Sequence, residues 1–296
     1  MSTHLPDSAL AFSFGQNDFV RILTWNLQGR VGEWEHRHHA IQTVLKEHTP
    51  DVALFQESWV EPDGSTQAAL FAEQLGLHCS TAAELAGFTT YPQATYWVVN
   101  AIITRWPNRI VRAQALVDEN GAPTWRHMLA VVVERPQEDG GSFLAVGTHL
   151  EHGIDRSPTR SAQLQHLVTE TAALLGGTET WRQSLPAIIA GDFNAVPWSE
   201  EIRRATGAAT PFVEGFVLID AWEACGNTDR GDTWATANEL VPRRAVFPNR
   251  RLDYVTTTAP RMRNRGSFDS CTLAGVEPIN GVQPSDHYAV VAEVDL

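Results

Sequence analysis

The chain has 296 residues, 43% of them hydrophobic and 19% charged, a composition that can bury a sizeable core and argues against disorder over the whole chain. Its formal net charge of −13 gives no long-range attraction to nucleic acid or to anionic membranes. Avid, sequence-independent DNA binding is therefore not expected, although bound cations and a local arginine cluster can still admit a phosphodiester.

Cysteine content and apolar runs favour a cytoplasmic protein. The three cysteines are far apart and form no CxxC pair, which argues against a disulfide framework and a thiolate zinc site and fits a reducing compartment. No stretch of 18 apolar residues occurs, so we expect no transmembrane helix. Residues 1–19 contain no Lys or Arg and no apolar run of signal-peptide length, and we expect them to form a loose extension.

Short apolar runs predict strands, and apolar residues at helical spacing predict helices between some of them. The predicted strands cover residues 20–25, 52–56, 97–104, 128–134, 143–149, 187–190, 252–257 and 289–294. The predicted helices cover residues 36–47, 68–75 and 159–175, and long loops are expected at 76–92 and 227–249. Runs such as DVALF and AIIAG indicate strands that are covered on both faces.

A strand–helix–strand unit occurs twice, without sequence identity between the copies. The first comprises residues 22–25, 36–47 and 52–56, and the second comprises residues 144–149, 159–175 and 187–190. Two such units predict two sheets packed face to face with helices outside. The strands of both units end in polar residues, and ligand sites in α/β folds gather at the carboxyl ends of strands.

Asp192 and Asn194 follow one of these strands in the tetrapeptide GDFN. Residues two apart on an extended segment face the same side, so this carboxylate and amide could hold a hard cation or orient a water molecule. A turn explains the same tetrapeptide equally well, because Asp and Asn are common turn residues.

Three further carboxylates stand at the ends of, or inside, apolar runs. Glu57 follows DVALFQ, where an unpaired buried carboxylate is costly, so it should face solvent, an arginine or a metal. Asp253 interrupts the strand RLDYV and needs an arginine or an imidazole as its partner. Asp286 and His287 point to opposite sides of the chain before the last strand, which predicts two different roles unless they form only a polar turn. Asn26 and His149 end strands and say little by themselves.

Two other catalytic arrangements are rejected. Ser285 has no GxSxG elbow, and a serine adjacent to Asp-His in sequence does not have the geometry of a triad. His36, His38 and His39 lack the spacing of zinc ligands and are expected on a solvated helix face.

The ordered series TWN, QES, NAIITRWP, THLEH, GDFN, RLDYV and SDH resembles the endonuclease/exonuclease/phosphatase superfamily, which has the fold of pancreatic deoxyribonuclease. The resemblance runs from about Arg21 to the C-terminus. It implies an α/β (α+β) four-layered sandwich, with two packed mixed sheets flanked by helices, as a single catalytic domain over residues 20–296.

The resemblance also implies one or two bound divalent cations, Mg²⁺ or Mn²⁺. The principal expected ligand is Glu57, with Asn26 and Asp286 close by, and Asp192 would help to hold a second metal or act on the water. Such cations neutralise the charge that phosphate-ester hydrolysis places on the phosphoryl oxygens.

The remaining roles that the resemblance implies concern the water and the phosphate. Asp192 would orient or deprotonate the attacking water, and Asn194 would hold that water or a phosphate oxygen. His149 would donate to a phosphoryl oxygen, and His287, paired with Asp253, would act on the phosphate or as a general acid/base. Asn100 and Arg126 are expected to contact the substrate, while the roles of Arg160 and Gln163 stay open.

Arginines and tryptophans near these motifs leave two further alternatives open. The basic region comprises Arg243, Arg244, Arg250, Arg251, Arg261, Arg263 and Arg265, which either line a phosphate-binding rim or only solvate an acidic protein. The tryptophans are Trp59, Trp97, Trp106, Trp198 and Trp234, which either stack on a base, ring or choline-like group or, more often for such residues, serve in packing.

The favoured function is metal-dependent hydrolysis of a phosphodiester or phosphomonoester of a small molecule or lipid headgroup, because the chain is acidic and has no long basic patch. The alternative is a DNA or RNA nuclease of the same superfamily. A catalytically inactive binding protein is less favoured, since Glu57, His149, Asp192 and His287 are all present. The oligomeric state and the natural substrate are not predicted.

Overall fold

The computed structural model describes residues 19–242, 244, 249–262 and 265–296. The expected N-terminal extension lies outside the described residues, apart from Phe19, and so do Arg243 and Arg263. No helix in the described ranges combines the length and the apolarity needed to cross a membrane.

The chain forms strands and helices in the following order. The strands are β1 (Phe19–Asn26), β2 (Val52–Val60), β3 (His78–Thr81), β4 (Trp97–Thr104), β5 (Asn108–Val117), β6 (Pro123–Val133), β7 (Phe143–His149), β8 (Ile188–Asp192), β9 (Val217–Asp220), β10 (Trp234–Ala235), β11 (Asn249–Arg250), β12 (Asp253–Ala259), β13 (Phe268–Ala274) and β14 (Ala289–Asp295). The helices are α1 (Trp34–His48), α2 (Gln67–Leu75), α3 (Ser157–Leu174), α4 (Thr178–Trp181), α5 (Glu200–Ala205) and α6 (Ala221–Ala224).

Twelve of the strands form two six-stranded mixed sheets. Sheet 1 has the order β13-β14-β1-β2-β4-β3, and sheet 2 has the order β5-β6-β7-β8-β12-β9. The central pair of each sheet, β1–β2 or β7–β8, is parallel, and the remaining pairs are antiparallel. Helix α1 connects the first parallel pair, and α3 and α4 connect the second. The repeated strand–helix–strand unit is therefore confirmed.

Three buried clusters separate the four layers. Ile22 and Ile188 point into the space between the sheets. Their neighbours point outward, because successive strand residues alternate in direction: Leu23 packs beneath α1 and α2, and Ile189 packs beneath α3 and α5. Each such aliphatic side chain contributes about 1.5–3 kcal/mol when fully buried. The four-layered sandwich is confirmed.

Local signals set the ends of α2. The Thr66 side chain accepts a hydrogen bond from the Ala69 amide at 3.0 Å and caps the first turn. Gly76 ends the helix with a φ of 67°, a left-handed conformation in which a side chain is strained.

The eight strands predicted from the sequence are the interior strands of the two sheets, and the four edge strands, β3, β5, β9 and β13, were missed. Strand β3 lies inside the segment 76–92 and strand β10 inside the segment 227–249, and both segments were expected to be loops. Strand β9 has an apolar run, VLI, but spans only four residues. The other edge strands are only half covered, so polar residues interrupt their sequences. Strand β5 shows this pattern, with exposed Arg109 and Ile110 beside half-buried residues.

Candidate active site

Polar side chains from both sheets meet at one end of the sandwich. Parallel pairing sets Asn26 beside Gln56 in sheet 1 and His149 beside Asp192 in sheet 2. Strand β12 runs antiparallel to β8, so Asp253 at its start lies opposite Asp192. The carboxyl ends of the parallel strands thus converge with the beginning of an antiparallel strand.

Glu57 lies within β2 rather than after its end, at a bulge in the pairing with β4 between Phe55 and Ser58. Its φ of 54° is unusual for a residue with a side chain and is stabilised only by its surroundings. Because a bulge re-aims side chains, Gln56 stays fully buried while Glu57 reaches the cleft.

Gly191 allows β8 to approach β7 closely just before Asp192. A Cβ atom at this position would collide with the carbonyl oxygen of Thr148, so a residue with a side chain does not fit. The glycine of GDFN therefore has a structural reason, and it sets the register that brings Asp192 next to His149.

Asp192 is buried and stands at the centre of the polar cluster. Its Oδ2 atom lies 3.1 Å from Asn26 Nδ2, 3.3 Å from His149 Nε2 and 3.9 Å from His287 Nε2. Its Oδ1 atom accepts a hydrogen bond from the Asn194 amide at 2.8 Å. Burial opposes its ionisation, but the nearby His287 and His149 outweigh burial and hold the pKa of Asp192 below its ordinary value. Asp192 is therefore a carboxylate at neutral pH.

His287 and Asp253 form a buried pair, with 2.8 Å between Nδ1 and Oδ2. Burial disfavours a charged imidazole, but Asp253 and Asp192 outweigh it and raise the pKa of His287 well above its ordinary value. The segment before β14 is fixed to β1, since Ser285 Oγ donates to the Asn26 carbonyl at 2.6 Å and Trp25 Nε1 donates to the His287 carbonyl at 2.8 Å. Ser285 thus has a structural hydrogen bond.

Glu57 and Asp286 on the sheet 1 side and Asp192 from sheet 2 line one cavity, and these three carboxylates suit a divalent cation. Burial raises the pKa of Asp286, and repulsion from Glu57 and Asp192 adds to this, against the opposing charges of His287 and Arg37. A hard cation with oxygen ligands would relieve that repulsion. Asn26 Nδ2 donates to both Glu57, at 3.3 Å, and Asp192, at 3.1 Å, so Asn26 bridges two of the carboxylates.

One group of side chains in the described part of the chain has metal-ligand spacing. Asp192, Asp253 and His287 each bring one ligand atom within 4.8 Å of the others. His287 already bonds Asp253, and magnesium prefers oxygen to imidazole nitrogen. A magnesium site on Glu57, Asp192 and Asp286 stays a prediction.

Arg126 is a buried cation with unused donors. Its guanidinium carbon lies 3.7 Å from the centre of the Trp125 ring, and its Nη2 atom lies 3.1 Å from His152 Nδ1. Its Nε and Nη1 atoms have no hydrogen-bond partner among the described residues. Burial lowers the pKa of Arg126 to about 10, opposed by Asp192 and two glutamates, so the side chain is cationic at neutral pH.

Asn100 joins the two sheets at the base of the cleft. Its Nδ2 atom donates to the His127 carbonyl at 2.8 Å, and its backbone amide donates to His127 Nε2 at 2.9 Å. Burial lowers the pKa of His127 to about 4, so the ring is neutral and can accept that hydrogen bond. A contact between Asn100 and the substrate stays a prediction.

Arg160 and Gln163 of α3 fasten the loop that follows β7. Arg160 Nη1 donates to the carbonyls of Glu151, at 3.2 Å, and Gly153, at 2.6 Å, and Gln163 accepts from the Glu151 amide at 2.9 Å. Arg160 is itself held by Glu201 at 2.7 Å in a buried ion pair. This loop carries His152, the partner of Arg126. Glu201 was missed in the sequence, since an acidic residue in a short polar helix gives no signal of burial.

His36, His38 and His39 of helix α1 were expected to lie on a solvated face, but not all three do. His36 and His39 are exposed, but His38 is buried and stacks on Phe71 with 4.5 Å between ring centres, so the prediction is wrong for His38. Arg37 beside it donates to backbone carbonyls that include those of Leu27 and Pro284. It thereby ties the segment after β1 to the one before β14.

Two of the described arginines of the proposed basic region form ion pairs. Arg251 is buried in an ion pair with Asp220, and Arg265 pairs with Asp295 at 2.7 Å. Among the described members of the region, Arg250 reaches the central cavity. The tryptophans differ in the same way. Trp59 is buried and Trp106 is partly buried, whereas cavities of the cleft are lined by the partly buried Trp97 and by Trp198 and Trp234.

Three adjoining cavities form a cleft across the end of the sandwich. The central cavity, of about 580 Å³, is lined by the polar cluster, including Glu57, Arg126 and Asp192. A groove of about 600 Å³ continues past Asn194 toward Trp198. A third cavity, of about 680 Å³, continues past Glu57 among aromatic rings. The cleft is therefore longer than a single phosphate group requires.

A family model described as the Endonuclease/Exonuclease/phosphatase family matches residues 23–287 of the chain. The curated protein named Protein angel, from Drosophila melanogaster, is 27% identical over 166 residues, which is 54% of this chain and 43% of that protein. The chain thus spans less than half the length of that relative.

Solved structures have the same fold at low sequence identity. D. rerio TDP2 complexed with single strand DNA product is 18% identical with a TM-score of 0.69, and the match covers 94% of this chain and 99% of that one. The human Nocturnin catalytic domain with bound sulfate is 20% identical with a TM-score of 0.69, covering 94% of each chain. An endonuclease/exonuclease/phosphatase from Bacteroides vulgatus is 18% identical with a TM-score of 0.68, covering 94% and 99%.

Proposed function

The chain belongs to the Endonuclease/Exonuclease/phosphatase family of hydrolytic phosphoesterases, and we propose that it is a divalent-metal-dependent hydrolase of small phosphate esters. One observation carries the proposal. Arg126 lines a cavity that three carboxylates share, and two nitrogen atoms of its buried guanidinium have no partner in the part of the chain that the structure describes. Buried donors without partners are costly, so this arrangement is suited to an anion that arrives together with a cation.

Glu57, Asp192 and Asp286 would hold the cation, Mg²⁺ or Mn²⁺, and Asn26 would complete or brace this set. When bound, the metal neutralises charge on the phosphoryl oxygens and lowers the pKa of a coordinated water. Arg126 is the natural donor to the non-bridging oxygens, because its planar guanidinium matches them.

Asp192 and its neighbours would position the attacking water. Its depressed pKa makes Asp192 a weak base, so orientation of the water is its favoured role. Asn194 is held against Asp192 and the Leu150 carbonyl, and its amide can contact the same water or a phosphoryl oxygen. His149 is kept neutral by burial and by Arg126, which lower its pKa, and can donate one hydrogen bond.

His287 would act as a cation beside the phosphate. Asp253 holds Nδ1, which directs Nε2 toward Asp192 and the cavity. A protonated imidazole there stabilises negative charge that develops on the phosphoryl group and can give a proton to the leaving oxygen.

The test is turnover of bis-p-nitrophenyl phosphate and of a panel of phosphomonoesters with Mg²⁺, with Mn²⁺ and with chelator. We expect turnover that needs the metal and that falls by about 10²- to 10⁴-fold in Asp192→Asn. Asp63→Asn, an exposed carboxylate in the turn after β2, is the matched control and should keep full activity. No turnover by the wild type, or full turnover by Asp192→Asn, would contradict the proposal.

A nuclease is the second candidate. It is favoured by the exposed Trp125 and Trp198 along the cleft and by the structural likeness to a TDP2 complexed with single strand DNA product. A labelled single-stranded oligonucleotide incubated with Mn²⁺ at low salt should then be shortened, with a rate that falls steeply as salt is added. An intact oligonucleotide after long incubation rejects this candidate.

A further inference from the structure

The groove beyond Asn194, here called the Trp198 groove, is continuous with the central cavity. Asn194 and Arg250 line both of them. A ligand whose phosphate lies in the central cavity can therefore extend into the groove.

The groove exposes apolar surface that has no packing role. Trp198 is 63% exposed and Ile154 is 58% exposed, and both line the groove. The Arg230 guanidinium carbon lies 5.8 Å from the centre of the Trp198 ring. The guanidinium lies over one face of the indole, so the other face is the platform on which a planar ring would stack.

The charges at the groove are balanced. Arg160, Arg230 and Arg250 line it together with one carboxylate, Glu200. Arg160 and Arg230 also have ion-pair partners, Glu201 and Asp232, so three arginines stand against three carboxylates. The groove therefore has no excess charge that would select a cationic group, and stacking on Trp198 is the main contact that it offers to a ligand.

We propose that the Trp198 groove binds the nucleobase of a nucleotide whose phosphate occupies the central cavity. The inference rests on the proposed function and narrows its substrate class to nucleotide esters. Trp198 provides the stacking face, Ile154 provides apolar contact, and Asn194 marks the boundary between the base and phosphate positions. Base stacking tolerates different sequences, so the groove selects a ring and not one particular base.

Competitive inhibition of bis-p-nitrophenyl phosphate turnover tests the assignment. Adenosine 5′-phosphate should inhibit the wild type at about 5- to 150-fold lower concentration than ribose 5-phosphate, which lacks the ring. Trp198→Ala should abolish that ratio, and Trp198→Phe should retain most of it. Trp198 is mostly exposed, so its replacement should not disturb folding.

Matched variants show whether the effect belongs to this groove. Tyr91→Ala removes an exposed ring from the cavity on the opposite side, and Phe19→Ala removes one at the far end of β1. Both should keep the wild-type inhibition ratio. Loss of the ratio in Tyr91→Ala, or its survival in Trp198→Ala, would overturn the assignment.

Two further outcomes separate this inference from the proposed function. If Trp198→Ala weakens inhibition by phenyl phosphate but not by adenosine 5′-phosphate, the ligand is an aryl ester and the nucleotide assignment is wrong. If the wild type turns over no phosphate ester, the proposed function fails, and calorimetric binding of adenosine 5′-phosphate to wild type and Trp198→Ala still decides whether the groove binds a base.

Discussion

Arg126 lies beneath the surface with one nitrogen on His152 and its flat face on Trp125, while Nε and Nη1 contact no acceptor among the described residues. Native proteins rarely leave buried donors unpaired, and exceptions call for an explanation such as a missing ligand. Burial lowers the pKa of Arg126, but Asp192, Glu151 and Glu57 oppose this effect, so the guanidinium stays charged without a ligand. We therefore expect Arg126 to bind an anionic group of the substrate.

Arg126→Met should weaken phosphate-ester binding, because charged hydrogen bonds contribute about 1.5–3 kcal/mol. The expected result is a KM raised by about 10- to 150-fold. Arg126→Lys keeps the charge but not the planar arrangement of donors, so its KM should lie between those of the wild type and Arg126→Met. Arg109→Met, which removes an exposed arginine paired with Glu134, is the control. An unchanged KM in Arg126→Met would remove Arg126 from substrate binding.

The His287–Asp253 pair makes a prediction about pH. Asp253 raises the pKa of His287, so the protonated imidazole persists to higher pH than an unpaired one would. Activity that needs this cation is lost as the pH rises through the pKa of His287. Asp253→Asn removes the neighbouring charge and lowers that pKa, so the alkaline fall of kcat/KM should begin at lower pH. An alkaline limb in the same place as in the wild type contradicts this role.

At the scale of elements, the sequence predicted strands where both faces are covered and failed where one is not. Strands β1, β2, β7 and β8 give continuous apolar runs because helices cover one face and the other sheet covers the second. Edge strands such as β5 carry polar residues on the solvated side. The apolar runs therefore predict that Asp192 and His149 lie at strand ends. The bulge at Glu57 could not be predicted in this way, because it depends on the pairing of β2 with β4. Tertiary contacts, such as those of Glu201, have no counterpart in the local sequence.

The Arg160–Glu201 ion pair gives a prediction about the loop after β7. Glu201→Ala leaves a buried arginine unpaired and should lower the free energy of unfolding by about 3–5 kcal/mol. The loop that carries His152 then loses its anchor, so KM should rise in protein that remains folded. Urea unfolding and steady-state kinetics measure the two effects. Glu200→Ala, an exposed neighbour, should stay within about 0.5 kcal/mol of the wild type.

At the scale of the whole molecule, the net charge of −13 sets a weak field that repels anionic substrates. Added monovalent salt screens this repulsion. Between about 50 and 200 mM salt, kcat/KM for a small phosphodiester should therefore stay level or rise. A steep fall would mean that a basic surface guides the substrate and would favour the nuclease. Steady-state kinetics at constant metal concentration measure the slope.

The cleft is assembled from two halves, and hydrogen bonds between the sheets align them: Asn26 with Asp192, His287 with Asp253, and Asn100 with His127. The catalytic rate should therefore depend on the relative position of the two sheets. If one sheet shifts relative to the other across the apolar layer between them, each sheet can stay intact while Glu57 and Asp192 lose their alignment. On slow heating, activity should vanish before the circular dichroism of the strands changes, and replacing Ile102 in the interlayer with alanine should widen that gap.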